Sequence, residues 1–504
     1  MEIISRKYTL IFIALLAGFA YFLNEYNTAF IRKINPKNEF ASSESLVYNS
    51  TINSIDNIWY VSQIKNWVQG KGFTIDPNDE KSMVRRTPIY PIFYGIHYVL
   101  LGEEGSFYFI RFTQIILFIL ATFALLYGVY YFTENKIIAI LSAISFGFNP
   151  IFISYLYYTI TEGISPALVC FLIYFLARCY KFGQKKDWIF AGLFFAIATL
   201  CRPAIIFIAP GIAVLVLYKN KASVQQFILS SSLVVIGAAV LYVPHVVRNY
   251  MHANEFILLE KYYGDPMDYG MPNIALRKWI ACWTNPADLS SESISNRMRL
   301  DIVADVDSLY KSVSVENQLD RLPNRAFAAD NKATVRAAFS SLYDYYYVKL
   351  ITKNQTELDS IEKICLAKIT SLKTNYIQKQ PLQYYFVTPL LFIKSILFQS
   401  NSSTLIFVGA KQTNQWLSIM VKGMLLLLNV YWWIALFGLL FFFRKYSVLL
   451  SITILNIIGL FFYTIVIQKY FEVRYMIPIY PLMIIISVIF FIEVYGIARK
   501  KLNF

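Results

Sequence analysis

The sequence has little charge and few histidines for its length. Charged residues make up only 15% of the 504 residues, whereas hydrophobic residues make up 57%, a balance that is unlike that of a soluble globular domain. The chain contains three histidines, His97, His245 and His252, which argues against a histidine-built metal site. P-loop, His-Glu-x-x-His, paired-cysteine zinc and serine-elbow motifs are also missing. We therefore predict no metal ligand from the sequence.

The five cysteines do not define a disulfide framework. Cys170, Cys179 and Cys201 lie in or beside apolar runs, where cysteine usually acts as a small buried hydrophobic residue. Cys282 and Cys365 fall in a polar segment. A disulfide between these two and a pair of free thiols are both compatible with the sequence.

The sequence is rich instead in long apolar runs. Most are long enough as helices to cross a hydrocarbon core of roughly 30 Å, and helices are expected because lipid cannot satisfy unpaired backbone groups. The runs cover residues 8–23, 106–132, 137–153, 163–179, 188–200, 203–218, 227–247, 417–443, 448–467 and 476–497. They predict an all-α polytopic membrane protein with about ten transmembrane helices.

The distribution of basic residues predicts the orientation of these helices. The net charge of +15 does not indicate a nucleic-acid partner, because lysines and arginines lie mostly at the ends of apolar runs, as the positive-inside rule requires of a cytoplasmic face. Those on the predicted cytoplasmic side are Lys181, Lys185, Lys186, Lys219, Lys221, Arg444, Lys445, Arg499, Lys500 and Lys501. Two large polar segments are therefore predicted to be extracytoplasmic.

Three regions follow from this topology. Residues 1–250 form a transmembrane module that includes a first extracytoplasmic loop, residues 24–105. Residues 251–415 carry helix-like polar stretches and predict an extracytoplasmic helical cap, and residues 416–504 form the C-terminal transmembrane helices. Residues 379–399 are aromatic and apolar, so that an interfacial helix and an additional half-helix in the membrane both remain open.

Asp56 and two arginines make the first loop a candidate site. Asp56 opens a predicted amphipathic helix and is well placed to cap it. The same loop carries Arg85 and Arg86, and adjacent arginines at a membrane surface suit a phosphate group. Anchoring to lipid headgroups is an equally good interpretation of the arginines alone.

Further charged residues stand at the predicted outer ends of apolar runs. Glu162 lies in the short turn between the third and fourth helices, and a carboxylate at membrane level is a functional candidate. A hairpin cap or a structural ion pair is the alternative. The same face would carry Arg202, His245, Arg248 and Arg474. Acid, base and phosphate-binding groups are thus predicted on the outer surface.

Taken in order, these segments resemble the lipid-dependent, GT-C-type glycosyltransferases of family 39, which include protein O-mannosyltransferases and the aminoarabinose transferase of lipid A. The order and spacing match as a series, over residues 1–250 and the last helix. The matching elements are Asp56-Asn-Ile-Trp-Tyr, Lys71-Gly-Phe, Arg86-Thr-Pro-Ile-Tyr-Pro, Thr161-Glu162, Leu200-Cys-Arg202-Pro, Pro244-His-Val-Val-Arg248-Asn-Tyr and Arg474-Tyr-Met-Ile-Pro-Ile-Tyr-Pro. The resemblance implies a GT-C fold and transfer of a sugar from a polyprenyl-phosphate donor to a glycan, lipid or protein acceptor.

The resemblance also implies residue roles. Asp56 matches the first-loop aspartate that takes the proton from the acceptor hydroxyl, typically with inversion at the sugar. Glu162 matches the second acidic position, where it would bind sugar hydroxyls or orient a divalent cation. The residues that would bind the donor's phosphate or lipid are Arg85, Arg86, Arg202, His245, Arg248 and Arg474. Asn57 follows Asp56 where the protein mannosyltransferases have a glutamate, so neither the sugar nor the acceptor is specified.

Two functions of other classes are compatible with the sequence. A lipid-carrier flippase or transporter would need charged residues near the bilayer midplane, whereas these charges stand at helix ends. A non-catalytic subunit of a glycan-assembly complex would not need Asp56 and Glu162. The chain lacks the paired acidic signature and the added lumenal domain of eukaryotic mannosyltransferases. We therefore predict the bacterial inner membrane, with an extracytoplasmic site.

Overall fold

The described part of the chain is helical. The computed structural model describes residues 3, 5–34, 57–261, 270–284, 291–304, 308–398, 415–468 and 473–501. Within these ranges the chain forms helices and turns and no β-strand. The predicted all-α class is therefore confirmed.

The described ranges contain eighteen α-helices, numbered in chain order. The first nine are α1 Arg6–Ile34, α2 Ile58–Val68, α3 Ile89–Thr133, α4 Lys136–Gly147, α5 Pro150–Tyr155, α6 Ser165–Lys181, α7 Lys185–Cys201, α8 Ala209–Lys219 and α9 Val224–Ala253. The polar segment contains α10 Met271–Trp283, α11 Ser291–Ala304, α12 Ser308–Asp320, α13 Lys332–Tyr347, α14 Gln355–Lys379 and α15 Thr388–Leu397. The last three are α16 Gln415–Leu439, α17 Ser447–Phe461 and α18 Tyr480–Lys501.

All ten predicted apolar runs coincide with helical segments. Seven of these are long and apolar enough to cross a membrane: Arg6–Tyr26, Ile89–Thr133, Lys136–Tyr155, Val224–Ala253, Ser418–Phe442, Ser447–Ile467 and Arg474–Lys501. The other three runs form α6 and α7, with 17 residues each, and the shorter apolar stretch Pro203–Lys219. A helix of 17 residues is about 26 Å long, which is at the lower limit for a transmembrane helix. The number of about ten crossings stays a prediction.

Helix α3 bends at Gly102, and contacts beside this bend hold the first loop against the helix. Gly102 has a φ of 70° inside α3, a conformation that glycine adopts without steric cost. Directly after the kink, Glu103 forms an ion pair with Lys65 of α2, and Ser106 donates a hydrogen bond to the hydroxyl of Tyr94 over 3.0 Å. Helix α2 is thereby fixed against α3.

Helices α7 and α9 cross at two glycines. A Cβ atom on Gly192 would lie 1.9 Å from the carbonyl oxygen of Val234, and one on Gly237 would lie 2.0 Å from that of Ile189. Small residues allow such close backbone contact, which stabilises helix pairs in a membrane. The crossing therefore tolerates no side chain at either position.

We expect Gly192→Ala to lower the free energy of unfolding by about 1–3 kcal/mol, because the added methyl group forces the helices apart. Thermal unfolding of the purified protein in detergent measures this change. Gly496→Ala is the matched control, since a Cβ atom there meets nothing within 4 Å. Equal unfolding temperatures of the two variants would contradict the prediction.

The chain divides into two compact units. The first contains Met1–Lys261, Leu397–Leu460 and Glu472–Phe504, and the second contains Tyr262–Ile396 and Phe461–Phe471. The second unit has a hydrophobic core of its own, in which Trp279, Trp283 and Phe339 are almost completely buried. Cys282 and Cys365 are buried in this core as free thiols, so the structure contains no disulfide between them.

Candidate active site

Glu162 is a buried carboxylate in a short 3-10 turn, Thr161–Gly163, between α5 and α6. Its side chain is only 4% exposed. One carboxylate oxygen, Oε1, lies 2.9 Å from Nη1 of Arg202 and 3.9 Å from Nε of Arg474. The other, Oε2, accepts a hydrogen bond from the hydroxyl of Thr161 over 3.0 Å. Protein groups thus contact both oxygens of Glu162.

Arg202 reaches Glu162 because α7 ends there. Proline disfavours the helical conformation at the residue before it, and Arg202, before Pro203, is extended with φ −143° and ψ 107°. Nη1 of Arg202 donates a hydrogen bond to the Thr161 hydroxyl, and Nη2 donates one to the backbone oxygen of Arg474, both over 3.0 Å. The end of α7 is thereby joined to the turn before α6 and to the 3-10 segment Val473–Ile479 that leads into α18.

The two arginines determine the ionisation of Glu162. Burial alone raises the pKa of its carboxyl group, but Arg202 and Arg474 together outweigh burial and hold the pKa below its ordinary value. Glu162 is therefore an anion at neutral pH. It is suited to fixing cations in place and unsuited to donating a proton.

A second ion pair joins Arg86 to Glu260. Nη1 of Arg86 lies 3.6 Å from Oε1 of Glu260, and its guanidinium group lies over the rings of Trp59 and Tyr60, at 5.9 and 5.7 Å from the ring centres. Burial raises the pKa of the Glu260 carboxyl group, while Arg86 and a hydrogen bond from the backbone N–H of Thr87 partly oppose this rise. Sequence reasoning did not identify Glu260.

Tyr60 lies under Arg86 and within electrostatic range of both ion pairs. Burial raises the pKa of its phenol group, which also interacts electrostatically with both pairs, that is with Arg86, Glu162, Arg202 and Glu260. The Tyr60 ring contacts the ring of Tyr90 edge-on, with 5.3 Å between their centres. We call Tyr60, Arg86, Glu162, Arg202, Glu260 and Arg474 the charged cluster; all six belong to the first unit.

Gln114 supports the cluster from within α3. It accepts a hydrogen bond from the hydroxyl of Tyr90 over 3.3 Å. Its amide donates to the backbone oxygens of Leu156 and Tyr158 over 2.8 and 3.2 Å. These bonds fix the chain just before the Glu162 turn. Gln114 lies inside an apolar run, where a polar side chain is unusual. This is the only feature of the sequence that points to a special role for it.

The other three residues predicted to bind the donor's phosphate or lipid contact protein groups beside the cluster. Arg85 forms an ion pair with Asp79. Nη2 of Arg248 donates hydrogen bonds to the backbone oxygen of Met83 over 3.1 Å and to the side-chain oxygen of Asn249 over 2.8 Å. Nε2 of His245 lies 2.7 Å from the backbone oxygen of Leu259. The structure thus places Arg202 and Arg474 against Glu162, pairs Arg86 with Glu260, and gives Arg85, His245 and Arg248 other local partners.

Asp56 lies outside the described residues. Its neighbour in the sequence, Asn57, directly precedes α2, which carries Trp59 and Tyr60 to Arg86. Within the described ranges, no group of three or more His, Cys, Asp or Glu residues is arranged to hold a metal ion.

The fold and the charged cluster define an all-α integral membrane protein with buried charges beside the ends of its helices. A comparison with family models gives a more specific relationship. A family model described as dolichyl-phosphate-mannose-protein mannosyltransferase matches residues 85–247. This range contains Arg86, Glu162 and Arg202, and the match confirms the resemblance to GT-C-type glycosyltransferases over this part of the chain.

One solved structure to which the chain is similar is the archaeal oligosaccharyltransferase AglB from Archaeoglobus fulgidus, in complex with an inhibitory peptide and a dolichol-phosphate. The identity is 12% and the TM-score is 0.47. The similarity covers 98% of this chain and 51% of that one, so this chain spans about half the length of AglB. No curated protein matches the sequence.

Proposed function

We propose that the protein is a glycosyltransferase that moves a sugar from a polyprenyl-phosphate donor to an acceptor at the extracytoplasmic face of a bacterial inner membrane. The observation that carries this proposal is the charged cluster, in which Arg86, Arg202 and Arg474 are gathered beside two carboxylates. Two of these arginines lie in the region that matches a mannosyltransferase family model. A family described by a dolichyl-phosphate-mannose donor supports a lipid-linked sugar as the substrate.

In the proposed reaction, an acceptor hydroxyl attacks the anomeric carbon of the donor sugar. The bond from this carbon to the phosphate oxygen breaks, and the polyprenyl phosphate leaves with the bonding electrons. Asp56 takes the proton of the attacking hydroxyl, and a single displacement inverts the anomeric centre. Because an aspartate is a weak base, alignment of the acceptor must supply much of the rate enhancement.

The leaving phosphate needs cations more than it needs a proton donor. Guanidinium groups bind phosphate through paired hydrogen bonds, and in the charged cluster they are already fixed in place. Glu162 orients Arg202 and Arg474, while Trp59 and Tyr60 lie under Arg86. We assign phosphate binding to these three arginines. Arg85, His245 and Arg248 then hold the surrounding segments in position.

The proposal predicts a defined change in the glycans of the native host when the gene is deleted. One polyprenyl-linked sugar should accumulate, and the same sugar should disappear from a surface glycan, lipid or protein. Mass spectrometry of both fractions, with and without the gene, measures the change, and restoring the parental gene should reverse it. Identical profiles would contradict transfer and would favour a non-catalytic subunit.

A further inference from the structure

The two carboxylates of the charged cluster are not equivalent. Glu162 is occupied by protein groups, because Arg202 and Arg474 face one of its oxygens and Thr161 donates to the other. Because Glu162 is only 4% exposed, a ligand hydroxyl has little access to the lone pairs that these partners leave open. Glu162 is therefore poorly suited to the sugar-binding role that the resemblance implies for it.

Glu260 keeps most of its capacity to accept hydrogen bonds. A carboxylate offers about four lone-pair positions. Arg86 lies 3.6 Å from Glu260 and the backbone N–H of Thr87 donates a hydrogen bond to it, while Arg202 and Tyr60 interact with it electrostatically. Its side chain is 19% exposed, so a small polar ligand can reach it.

The backbone around Glu260 is fixed at three nearby residues. The backbone N–H of Lys261 donates to the carbonyl oxygen of Val84 over 3.0 Å. Asn249 donates to the backbone oxygen of Ile257 over 2.9 Å, and His245 contacts that of Leu259. A binding group held in this way loses little conformational freedom when a ligand arrives.

We infer that Glu260 binds the hydroxyl groups of the donor sugar. The inference rests on the proposed function. Sugar hydroxyls are hydrogen-bond donors that a carboxylate accepts, and in the donor the sugar is bonded directly to the phosphate. The protein groups are adjacent in the same way: Arg86, which is suited to the phosphate, lies 3.6 Å from Glu260, which is suited to the sugar. The pair matches both halves of the donor's head group.

The test compares the binding of polyprenyl phosphates that carry a sugar with that of polyprenyl monophosphate, which carries none. The full-length protein is placed in lipid nanodiscs without acceptor, and Kd is measured for polyprenyl monophosphate and for a panel of hexosyl and pentosyl polyprenyl phosphates. We expect the parental protein to bind one glycosylated donor more tightly than polyprenyl monophosphate. Glu260→Gln should weaken binding of that donor about tenfold, as loss of a charge-assisted hydrogen bond predicts, and should not weaken binding of polyprenyl monophosphate.

Three further variants complete the experiment. Glu260→Asp keeps the charge on a shorter side chain and should bind the donor with intermediate affinity. Glu255→Gln alters an exposed carboxylate in the same segment, one that pairs with Lys261, and should leave both affinities within twofold. Arg86→Gln should weaken both ligands, because it removes a group assigned to the phosphate.

The outcomes separate this inference from the proposed function. If the parental protein binds neither polyprenyl monophosphate nor any glycosylated donor, the proposed function fails and the inference fails with it. If it binds them, the inference alone is overturned by any of three results. In the first, the parental protein binds the glycosylated donors and polyprenyl monophosphate with equal affinity. In the second, Glu260→Gln leaves the affinity for the donor unchanged. In the third, Glu260→Gln weakens binding of the donor and of polyprenyl monophosphate equally.

Discussion

Replacing Asp56 by asparagine should lower the rate of sugar transfer by about 10³-fold, which is within the range that a general base contributes. Asparagine has almost the same size as aspartate and can still cap a helix, but it cannot accept the acceptor's proton at neutral pH. The rate is measured with the purified protein under single-turnover conditions, as release of polyprenyl phosphate from a saturating glycosylated donor. Donor affinity should be almost unchanged, because the lost group acts on the acceptor.

Asp76→Asn provides the control for the first prediction. Asp76 lies in the same loop, and its carboxylate accepts a hydrogen bond from the backbone N–H of Asn78 over 2.9 Å, which asparagine can also accept. We expect this variant to transfer sugar within about twofold of the parental rate. A correctly folded Asp56→Asn protein that matches it would exclude Asp56 as the base.

Replacing Arg202 by methionine should both destabilise the protein and slow transfer. Glu162 would remain buried as an anion, with its nearest described cation, Arg474, at 3.9 Å. Removing one partner of a buried ion pair typically costs about 3–5 kcal/mol. Loss of a fixed cation beside the leaving phosphate should further reduce the rate by about 10²- to 10³-fold. Thermal unfolding and the single-turnover assay measure the two effects separately.

A double variant distinguishes the structural role of this pair from its chemical role. With both Glu162→Gln and Arg202→Met, no uncompensated anion remains, so stability should recover relative to Arg202→Met while transfer stays at the reduced rate. Lys181→Met, which breaks an exposed ion pair with Glu134, should change stability by less than about 1 kcal/mol. Full recovery of transfer in the double variant would show that the pair is only a structural connection.

The membrane helices could be read from the sequence because lipid imposes a simple rule on them. Each apolar run had to form its own backbone hydrogen bonds, and all ten runs do coincide with helical segments. The same rule does not predict the bend of α3 at Gly102. Residues 89–101 and 106–132 form one helix with a bend, and the bend depends on the backbone angles of one glycine.

The site was only partly predictable, for a physical reason. Glu162, Arg202 and Arg474 stand out in the sequence because charge is costly at membrane level. Glu260 stands between four apolar residues, 256–259, and a lysine, outside the predicted transmembrane runs, and tertiary contacts alone bring it to Arg86. Arg85 and Arg86 are adjacent, and the sequence does not show which of them belongs to the site. In the structure, Arg85 pairs with Asp79, whereas Arg86 lies over Trp59 and Tyr60.

The hydrogen bond from Arg202 to the backbone of Arg474 spans 272 positions in the sequence. Membrane helices are inserted as synthesis proceeds from the N-terminus, and the early part of the chain folds first. During synthesis, Glu162 and Arg202 can therefore pair long before Arg474 leaves the ribosome. A nascent chain would hold an incomplete charged cluster until the segment around Arg474 has been synthesised.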